Sequence, residues 1–177
     1  MEIKQIIVGK LQTNCYLFIS QKEMVVIDPG GEPRKILAEI EKTGAAVKYI
    51  INTHYHFDHM LANKEIEEAT GAKVLIHEDE KKFIAFEPDH FLKEGERIKI
   101  GAENLEVIHT PGHSQGSICL LGNGFMFSGD TLFDGSYGRV DFPGGSAEDI
   151  AKSLEKLAKM ITPEMKVYPG HGQVFKI

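Results

Sequence analysis

Short apolar segments rich in β-branched residues recur from one end of the chain to the other, and most of them end at glycine, proline or another turn-forming residue. Such segments are typical of β-strands. Some lie so close together that only a tight turn can join them, as at Gln21-Lys22-Glu23 and at Gly122-Asn123-Gly124. The predicted strands cover residues 3–8, 15–20, 24–27, 47–51, 74–76, 97–100, 105–109, 117–121, 125–128 and 167–168.

Helical spacing of apolar residues appears between some of these strands. Ile36, Leu37 and Ile40 recur at helical spacing between Pro33 and Gly44, which are typical first and last residues of a helix. The other predicted helices cover residues 62–69 and 78–86, and a last helix follows Ser146 and ends before Pro163. Because hairpins outnumber parallel crossover units, the predicted fold class is α/β, with two mixed β-sheets and helices outside them.

Length and composition narrow the class of protein. A chain of 177 residues fits a single domain, predicted here to cover residues 1–177. The net charge of −6 argues against a nucleic-acid partner, because an acidic surface repels phosphate. No apolar run is long enough to span a bilayer or to form a secretory leader, so no membrane partner is expected. Cys15 and Cys119 lie among apolar residues, which predicts buried, reduced thiols and a cytoplasmic location.

One loop concentrates side chains that bind metals. His54, His56, Asp58 and His59 fall within six consecutive residues, directly after a predicted strand. Imidazole and carboxylate groups are the usual ligands of zinc and of non-haem iron or manganese. On a tight loop, His54 and His56 can point one way while Asp58 and His59 point another, so one loop could serve two metal ions. The alternative is a polar loop that is rich in histidine by chance.

Three more candidate ligands have the same local setting. His113, Asp130 and His171 each follow a predicted strand and lie beside glycine in a turn. Taken singly, each of them could be an ordinary turn residue. Together with the first loop they make seven ligands, enough for two four-ligand sites if one carboxylate is shared. Asp130 is the natural bridge, because a carboxylate offers two oxygen atoms and an imidazole one lone pair.

These motifs resemble those of the metallo-β-lactamase fold superfamily, and the resemblance covers essentially the whole chain. It is carried by the segments Thr13–Tyr16 (TNCY), Asp28–Gly31 (DPGG), Thr53–His59 (THYHFDH), Gly112–Ser114 (GHS), Gly129–Phe133 (GDTLF) and Pro169–Gly172 (PGHG). The first two are similar to the early strands of the glyoxalase II-like branch. The resemblance implies a four-layer αβ/βα sandwich with a dinuclear metal site between the sheets.

The superfamily pattern also implies a role for each ligand. His54, His56 and His113 would hold the first metal ion, and Asp58, His59 and His171 the second. Asp130 would bridge the two. Zinc is the favoured metal, with iron or manganese as alternatives, since imidazole and carboxylate sites accept all three.

The chemistry expected of such a site is hydrolysis of a small molecule. Two adjacent divalent ions activate a water as hydroxide near neutral pH, and Asp58 would orient it as the catalytic residue. A thioester such as a hydroxyacylglutathione is the expected substrate, in a short form of the enzyme without the C-terminal helical extension of glyoxalase II. The alternatives are hydrolysis of another ester or a lactone, a non-catalytic domain stabilised by metal, and a mononuclear-iron persulfide dioxygenase. The last shares the Gly-Arg-x-Asp-Phe pattern of residues 138–142.

Two residues near the predicted site are candidates for substrate binding. Arg139 could orient an anionic group of the substrate, or it could form a structural ion pair with Asp141. Tyr137 is a candidate pocket residue. The remaining histidines are not assigned as ligands, since capping, surface or core positions account for His77, His90 and His109.

Overall fold

Two six-stranded sheets form the centre of the protein, whose residues 1–177 are all described by a computed structural model. The first sheet contains, in order, β1 (Glu2–Val8), β2 (Thr13–Ser20), β3 (Glu23–Ile27), β4 (Ala46–Ile51), β5 (Lys73–His77) and β6 (His90–Leu92). The second contains, from edge to edge, β14 (Phe175–Lys176), β13 (Lys166–Pro169), β10 (Phe125–Gly129), β9 (Ile118–Leu121), β8 (Glu103–His109) and β7 (Arg97–Ile100). A separate hairpin of β11 (Leu132–Phe133) and β12 (Ser136–Tyr137) follows β10.

Both sheets are mixed. In the first, β1–β2 and β2–β3 are antiparallel and β3–β4, β4–β5 and β5–β6 are parallel. In the second, only β10 and β13 pair in parallel. This topology confirms the predicted fold class. It also brings the carboxyl ends of the parallel strands to one edge of the sandwich, where loops that carry ligands can meet.

The helices lie on the outer faces of the sheets. They are α1 (Pro33–Thr43), α2 (Phe57–Met60), α3 (Asn63–Thr70) and α4 (Ala147–Ala158). Pro33 occupies the first turn of α1, and Gly44 ends that helix in a left-handed conformation. Ser146 caps α4 by accepting a hydrogen bond from the backbone N–H of Asp149. None of the helices is both long and apolar enough to cross a bilayer.

Side-chain alternation along β2 creates the layers. Cys15 faces outward and packs in a cluster with Ile36 of α1, whereas Tyr16 faces inward and packs on Phe127 of the second sheet, with ring centroids 5.2 Å apart. Both cysteines are fully buried and free, as predicted. Full burial of one such apolar side chain is worth roughly 1.5–3 kcal/mol, so this alternation fixes the register of the sheet.

A third apolar cluster closes the other side of the sandwich. It joins Met126 of β10 and Val167 of β13 to Leu157 of α4. Helix, sheet, sheet and helix therefore follow one another in four layers, as the resemblance implied.

The prediction of a helix over residues 78–86 is wrong. Only a 3₁₀ turn forms there, over Glu78–Glu80, followed by turns. The side chain of Glu80 points inward and is fully buried, and Phe83 stacks on Tyr55. These tertiary contacts take the segment away from helical geometry, because interactions between distant residues outweigh local propensity. The three-residue strand β6 was not predicted, and α4 ends at Ala158, earlier than the position of Pro163 indicates.

Candidate metal centre

The seven predicted ligands lie together where strands of the two sheets end. His54 and His56 follow β4, and Asp58 and His59 belong to the short helix α2. His113 lies between β8 and β9, Asp130 directly follows β10, and His171 follows β13. The rigid strands therefore aim side chains from distant parts of the chain at one point.

The ligand atoms form two groups of three. Those of His54, His56 and His113, the first trio, all lie within 4.8 Å of one another, and so do those of Asp58, His59 and His171, the second trio. Each trio has the size and composition of half a dinuclear site.

Asp130 lies between the trios. Its Oδ2 is 3.6 Å from Nε2 of His113, in the first trio, and 3.6 Å from Nε2 of His171, in the second. Its Oδ1 is 3.6 Å from Nε2 of His59. One carboxylate thus reaches both groups, which is the arrangement expected of a bridging ligand.

The centre contains buried polar atoms without hydrogen-bond partners. They are Nε2 of His54, His56 and His113, which are all in the first trio, Oδ1 of Asp130, and Nδ1 of His59 on the side of Asp28. Leaving such an atom unpaired costs about 1–3 kcal/mol, so folded proteins rarely keep several of them side by side. A divalent metal ion would satisfy the unpaired atoms of the first trio and of Asp130, and imidazole with carboxylate is a donor set that zinc, iron and manganese all accept. The second trio offers the same donor set, so the residues present fit a metal pair.

Two of the outer ring nitrogens donate hydrogen bonds to backbone carbonyls, and a third lies at ion-pair distance from a carboxylate. Nδ1 of His113 donates to the backbone carbonyl of Arg139 at 2.8 Å, and Nδ1 of His171 donates to that of Leu11 at 3.1 Å. Nδ1 of His59 is 3.0 Å from Oδ2 of Asp28. Such contacts set the tautomer and leave the lone pair of Nε2 directed at the centre.

Residues 8–171 match the family model of the metallo-beta-lactamase superfamily. The chain belongs to the metallo-β-lactamase superfamily. Hydroxyacylglutathione hydrolase GloC of Haemophilus influenzae is 32% identical, with 97% of this chain and 91% of that protein covered. The resemblance inferred from the motifs is thereby confirmed.

Solved structures agree with this membership. The crystal structure of BLEG-1 B3 metallo-beta-lactamase superposes with a TM-score of 0.92 at 30% identity, covering 99% of this chain and 94% of that one. The crystal structure of TTHA1623 in a di-iron-bound form has a TM-score of 0.87 at 34% identity, covering 98% and 94%. The names of these relatives point to different substrates, so membership of the metallo-β-lactamase superfamily establishes a metallo-hydrolase fold and leaves the substrate open.

The pKa values of the histidines shift in opposite directions in the two trios. Burial lowers the pKa of His54 far below its usual value and that of His56 to about 4, so both rings are neutral with lone pairs available. Burial also opposes a charge on His59, but the carboxylates of Asp130 and Asp28 outweigh it and raise the pKa of His59 to about 9. The carboxylate-rich second half thus attracts positive charge, and a metal ion binding there would displace protons.

Asp28 entered the sequence analysis only as part of the segment Asp28–Gly31 that carries the resemblance, yet it contacts the candidate metal centre directly. Its Oδ1 accepts a hydrogen bond from the backbone N–H of Thr53 and its Oδ2 accepts one from the Thr53 hydroxyl, both at 2.7 Å, beside the contact to His59. The signal that could have found it is its place at the end of β3, the parallel neighbour of β4. An Asp there lies at the same sheet edge as the histidine loop.

Replacing Asp28 with asparagine is expected to weaken metal binding about 10- to 100-fold, because the ring of His59 loses its anionic partner. Competition with a chromophoric chelator measures the affinity. Asp134→Asn, at an exposed turn position, is the matched control and should bind metal like the wild type. Equal affinities of the Asp28 variant and this control would contradict the role given to Asp28.

The start of β2 secures the loop of His171. Asn14 donates through Nδ2 to the carbonyls of Pro169 and Gly172, both at 2.9 Å. Thr13 donates through its hydroxyl to Oδ2 of Asp58 at 3.0 Å. The Thr13–Tyr16 motif, quoted above only as a mark of resemblance, therefore has a structural role at the second trio.

Glu80 is a second residue whose contact with the site was not predicted. Its fully buried carboxyl accepts a hydrogen bond from the hydroxyl of Ser114 through Oε1 and lies near the backbone N–H groups of Tyr55 and Gly116. It thus connects the loop of His54 and His56 to the loop of His113. Burial raises the pKa of Glu80 to about 7.

The two predicted substrate-binding residues lie in different places. Arg139 forms two hydrogen bonds of 2.6 Å with Asp141 and lies 4.0 Å from the centroid of the Phe142 ring, so the structural ion pair is present. Tyr137 is exposed and lines a separate groove against Leu154 of α4, and none of the seven ligands lines that groove. The structure does not bring Tyr137 to the metal centre, because the β11–β12 hairpin turns its side chain toward α4. Substrate binding by Arg139 stays a prediction.

The unassigned histidines have other contacts. His77 caps the 3₁₀ turn by accepting a hydrogen bond from the N–H of Asp79, and its ring stacks on that of His109 with centroids 4.0 Å apart. His90 is exposed and pairs with Glu96.

Proposed function

We propose that this protein is a dinuclear-metal hydrolase that cleaves a small thioester, of the hydroxyacylglutathione kind, by attack of water. The observation that carries the proposal is the pair of trios joined by Asp130, together with the three buried Nε2 atoms of the first trio that no protein group satisfies. A second complete trio favours two metal ions over one. Zinc is the proposed metal, with iron or manganese as alternatives.

The groups of this chain support attack by water over attack by a protein nucleophile. Cys15 and Cys119 are fully buried, and burial raises the pKa of the Cys119 thiol to about 11, so neither is a ready nucleophile. Divalent ions held by the two trios would lower the pKa of a water between them and polarise the substrate carbonyl. Asp58, whose carboxylate accepts a hydrogen bond from the hydroxyl of Thr13, would orient the attacking water.

A thioester suits this set of residues because its leaving group needs little help. A thiol has a pKa of about 8.5, so a thiolate departs without a strong general acid. The relative GloC is named a hydroxyacylglutathione hydrolase, which supports the same substrate class. The backbone carbonyl of Arg139 contacts His113 of the first trio, so the exposed guanidinium of Arg139 is our candidate for binding an anionic end of the thiol part.

One observation favours a rival, the mononuclear-iron persulfide dioxygenase. The segment that shares its Gly-Arg-x-Asp-Phe pattern lies against the first trio, where the ring of Phe142 is 5.4 Å from that of His56. Hydrolysis of S-lactoylglutathione in the absence of oxygen, by protein that contains two metal ions per chain, supports the hydrolase. Oxygen consumption with glutathione persulfide as substrate, by protein that contains one iron per chain, would instead identify the protein as the dioxygenase.

Replacing His56 with alanine is expected to remove at least one metal equivalent and to lower kcat/KM for thioesters by more than about 100-fold, since loss of a ligand costs more than loss of a supporting contact. Metal analysis of the dialysed protein and a thiol-release assay measure both effects. His90→Ala, an exposed histidine outside the site, should match the wild type. Full activity of the His56 variant would defeat the assignment of the first trio.

A further inference from the structure

A broad apolar groove opens beside the first trio and is not explained by the ligand arrangement. Its volume is about 1020 Å³, and its walls come from α2, α3 and residues 83–87. Phe57 is 62% exposed, Leu61 59% and Phe86 36%, so three of the large apolar side chains on the surface lie in this one place. Apolar side chains that cluster in an exposed concave surface mark a binding site.

The groove borders the metal centre at His56. His56 lines it, while Nε2 of the same ring belongs to the first trio. Tyr55 forms the adjoining wall, stacked on Phe83 with ring centroids 4.7 Å apart. The hydroxyl of Tyr55 donates to the carbonyl of Pro143 at 2.8 Å, which fixes that wall to the loop of Phe142. A chain lying in the groove therefore reaches the centre along the ring of His56.

Charge decides which part of a substrate the groove can take. The charged residues that line it are Lys64, Glu67, Glu68 and Glu87, three acids against one base. Such a rim disfavours carboxylate or phosphate groups, so the anionic thiol part of glutathione or of a nucleotide-linked thiol does not belong there. An uncharged apolar chain gains from the walls without meeting the acids.

We infer that this groove, defined by Phe57, Leu61, Phe83 and Phe86, binds the acyl part of the thioester substrate, and that the acyl part is an apolar chain longer than a short hydroxyacyl group. The inference rests on the proposed thioester hydrolysis and differs from it in the acyl part, which is a longer apolar chain in place of a short hydroxyacyl group. Each methylene that leaves water in the groove should contribute about 0.8 kcal/mol, a three- to fourfold gain in kcat/KM.

The experiment uses acetyl, butyryl, hexanoyl and octanoyl thioesters of N-acetylcysteamine with the metal-loaded protein. We expect kcat/KM to rise three- to fourfold per methylene, mostly through a lower KM. Leu61→Asp and Phe86→Asp should each flatten this rise, so that each variant cleaves the octanoyl thioester no faster than the acetyl one. Ile7→Asp places the same change at an exposed apolar residue of β1 outside the groove, and it should keep the full rise.

Three results would overturn the inference. One is turnover that does not depend on chain length in the wild type. Another is a rise that both groove variants retain. The third is a wild-type dimer that the groove variants convert to monomers with an unchanged chain-length profile, which would make the groove an interface between two copies.

Failure of the proposed function has a different signature. In that case no thioester of any length is cleaved by protein that holds its metal. Calorimetric titration of the octanoyl thioester into the wild type and Leu61→Asp then tests the groove alone. Binding that the variant loses supports the groove, while absent or equal binding overturns it.

Discussion

Asp130→Asn is expected to lower metal content from two equivalents per chain to one or none and to reduce kcat/KM by more than about 100-fold. Asp130 is the only ligand whose oxygens lie near both trios, at 3.6 Å from His113, His59 and His171. An amide keeps the shape of the carboxylate but has no charge and one acceptor oxygen. Both metal positions should therefore weaken together, whereas loss of a histidine should affect mainly its own trio.

Metal analysis after dialysis and a thioester assay measure this result, and Asp134→Asn serves as control for a nearby carboxylate that is exposed. A circular dichroism spectrum like that of the wild type would show that the variant is folded. An Asp130 variant with two tightly held metal ions and normal turnover would refute the bridging role.

Gly170→Ala should have an effect of similar size through a different cause. A Cβ atom at Gly170 would lie 2.2 Å from Oδ1 of Asp130 and 2.8 Å from Cε1 of His59. No side chain fits at those distances, so a methyl group must displace the bridging carboxylate and the ring of His59. We expect loss of metal from the second trio, a drop of more than about 100-fold in kcat/KM, and about 1–3 kcal/mol of destabilisation from the overpacking.

Gly31→Ala is the matched control, because a Cβ atom there meets no atom nearer than 3.6 Å. Metal analysis, the thioester assay and urea unfolding compare the two variants. If Gly170→Ala binds two metal ions as tightly as Gly31→Ala does, the position of Asp130 against the His171 loop is not as described.

The layered fold could be predicted because its signals are local. Hairpins joined by short polar turns, the proline and glycine at the ends of α1, and the capping serine of α4 each lie within a few residues of the element that they define. The prediction of a helix over residues 78–86 was wrong because a residue in this segment contacts a residue far away in the sequence. Glu80 bonds to Ser114, which lies 34 residues away along the chain.

In the metal centre, too, the features with local sequence signals could be predicted and those that depend on long-range contacts could not. Its ligands could be proposed because each of them comes shortly after a predicted strand, and four of the seven are nearly adjacent in sequence. The supporting contacts could not, since Asp28 meets His59 only through the parallel pairing of β3 with β4. The apolar groove could not be predicted from the sequence either, because its walls come from segments that are separate in the chain and come together only in the folded protein.

Anomalous X-ray scattering from crystals of the metal-loaded protein tests the central claim most directly. We predict two metal peaks per chain, one contacted by His54, His56 and His113 and the other by Asp58, His59 and His171, with Asp130 touching both. A crystal that shows no peak among these side chains, or a protein that retains thioester turnover after complete removal of metal, would contradict the account.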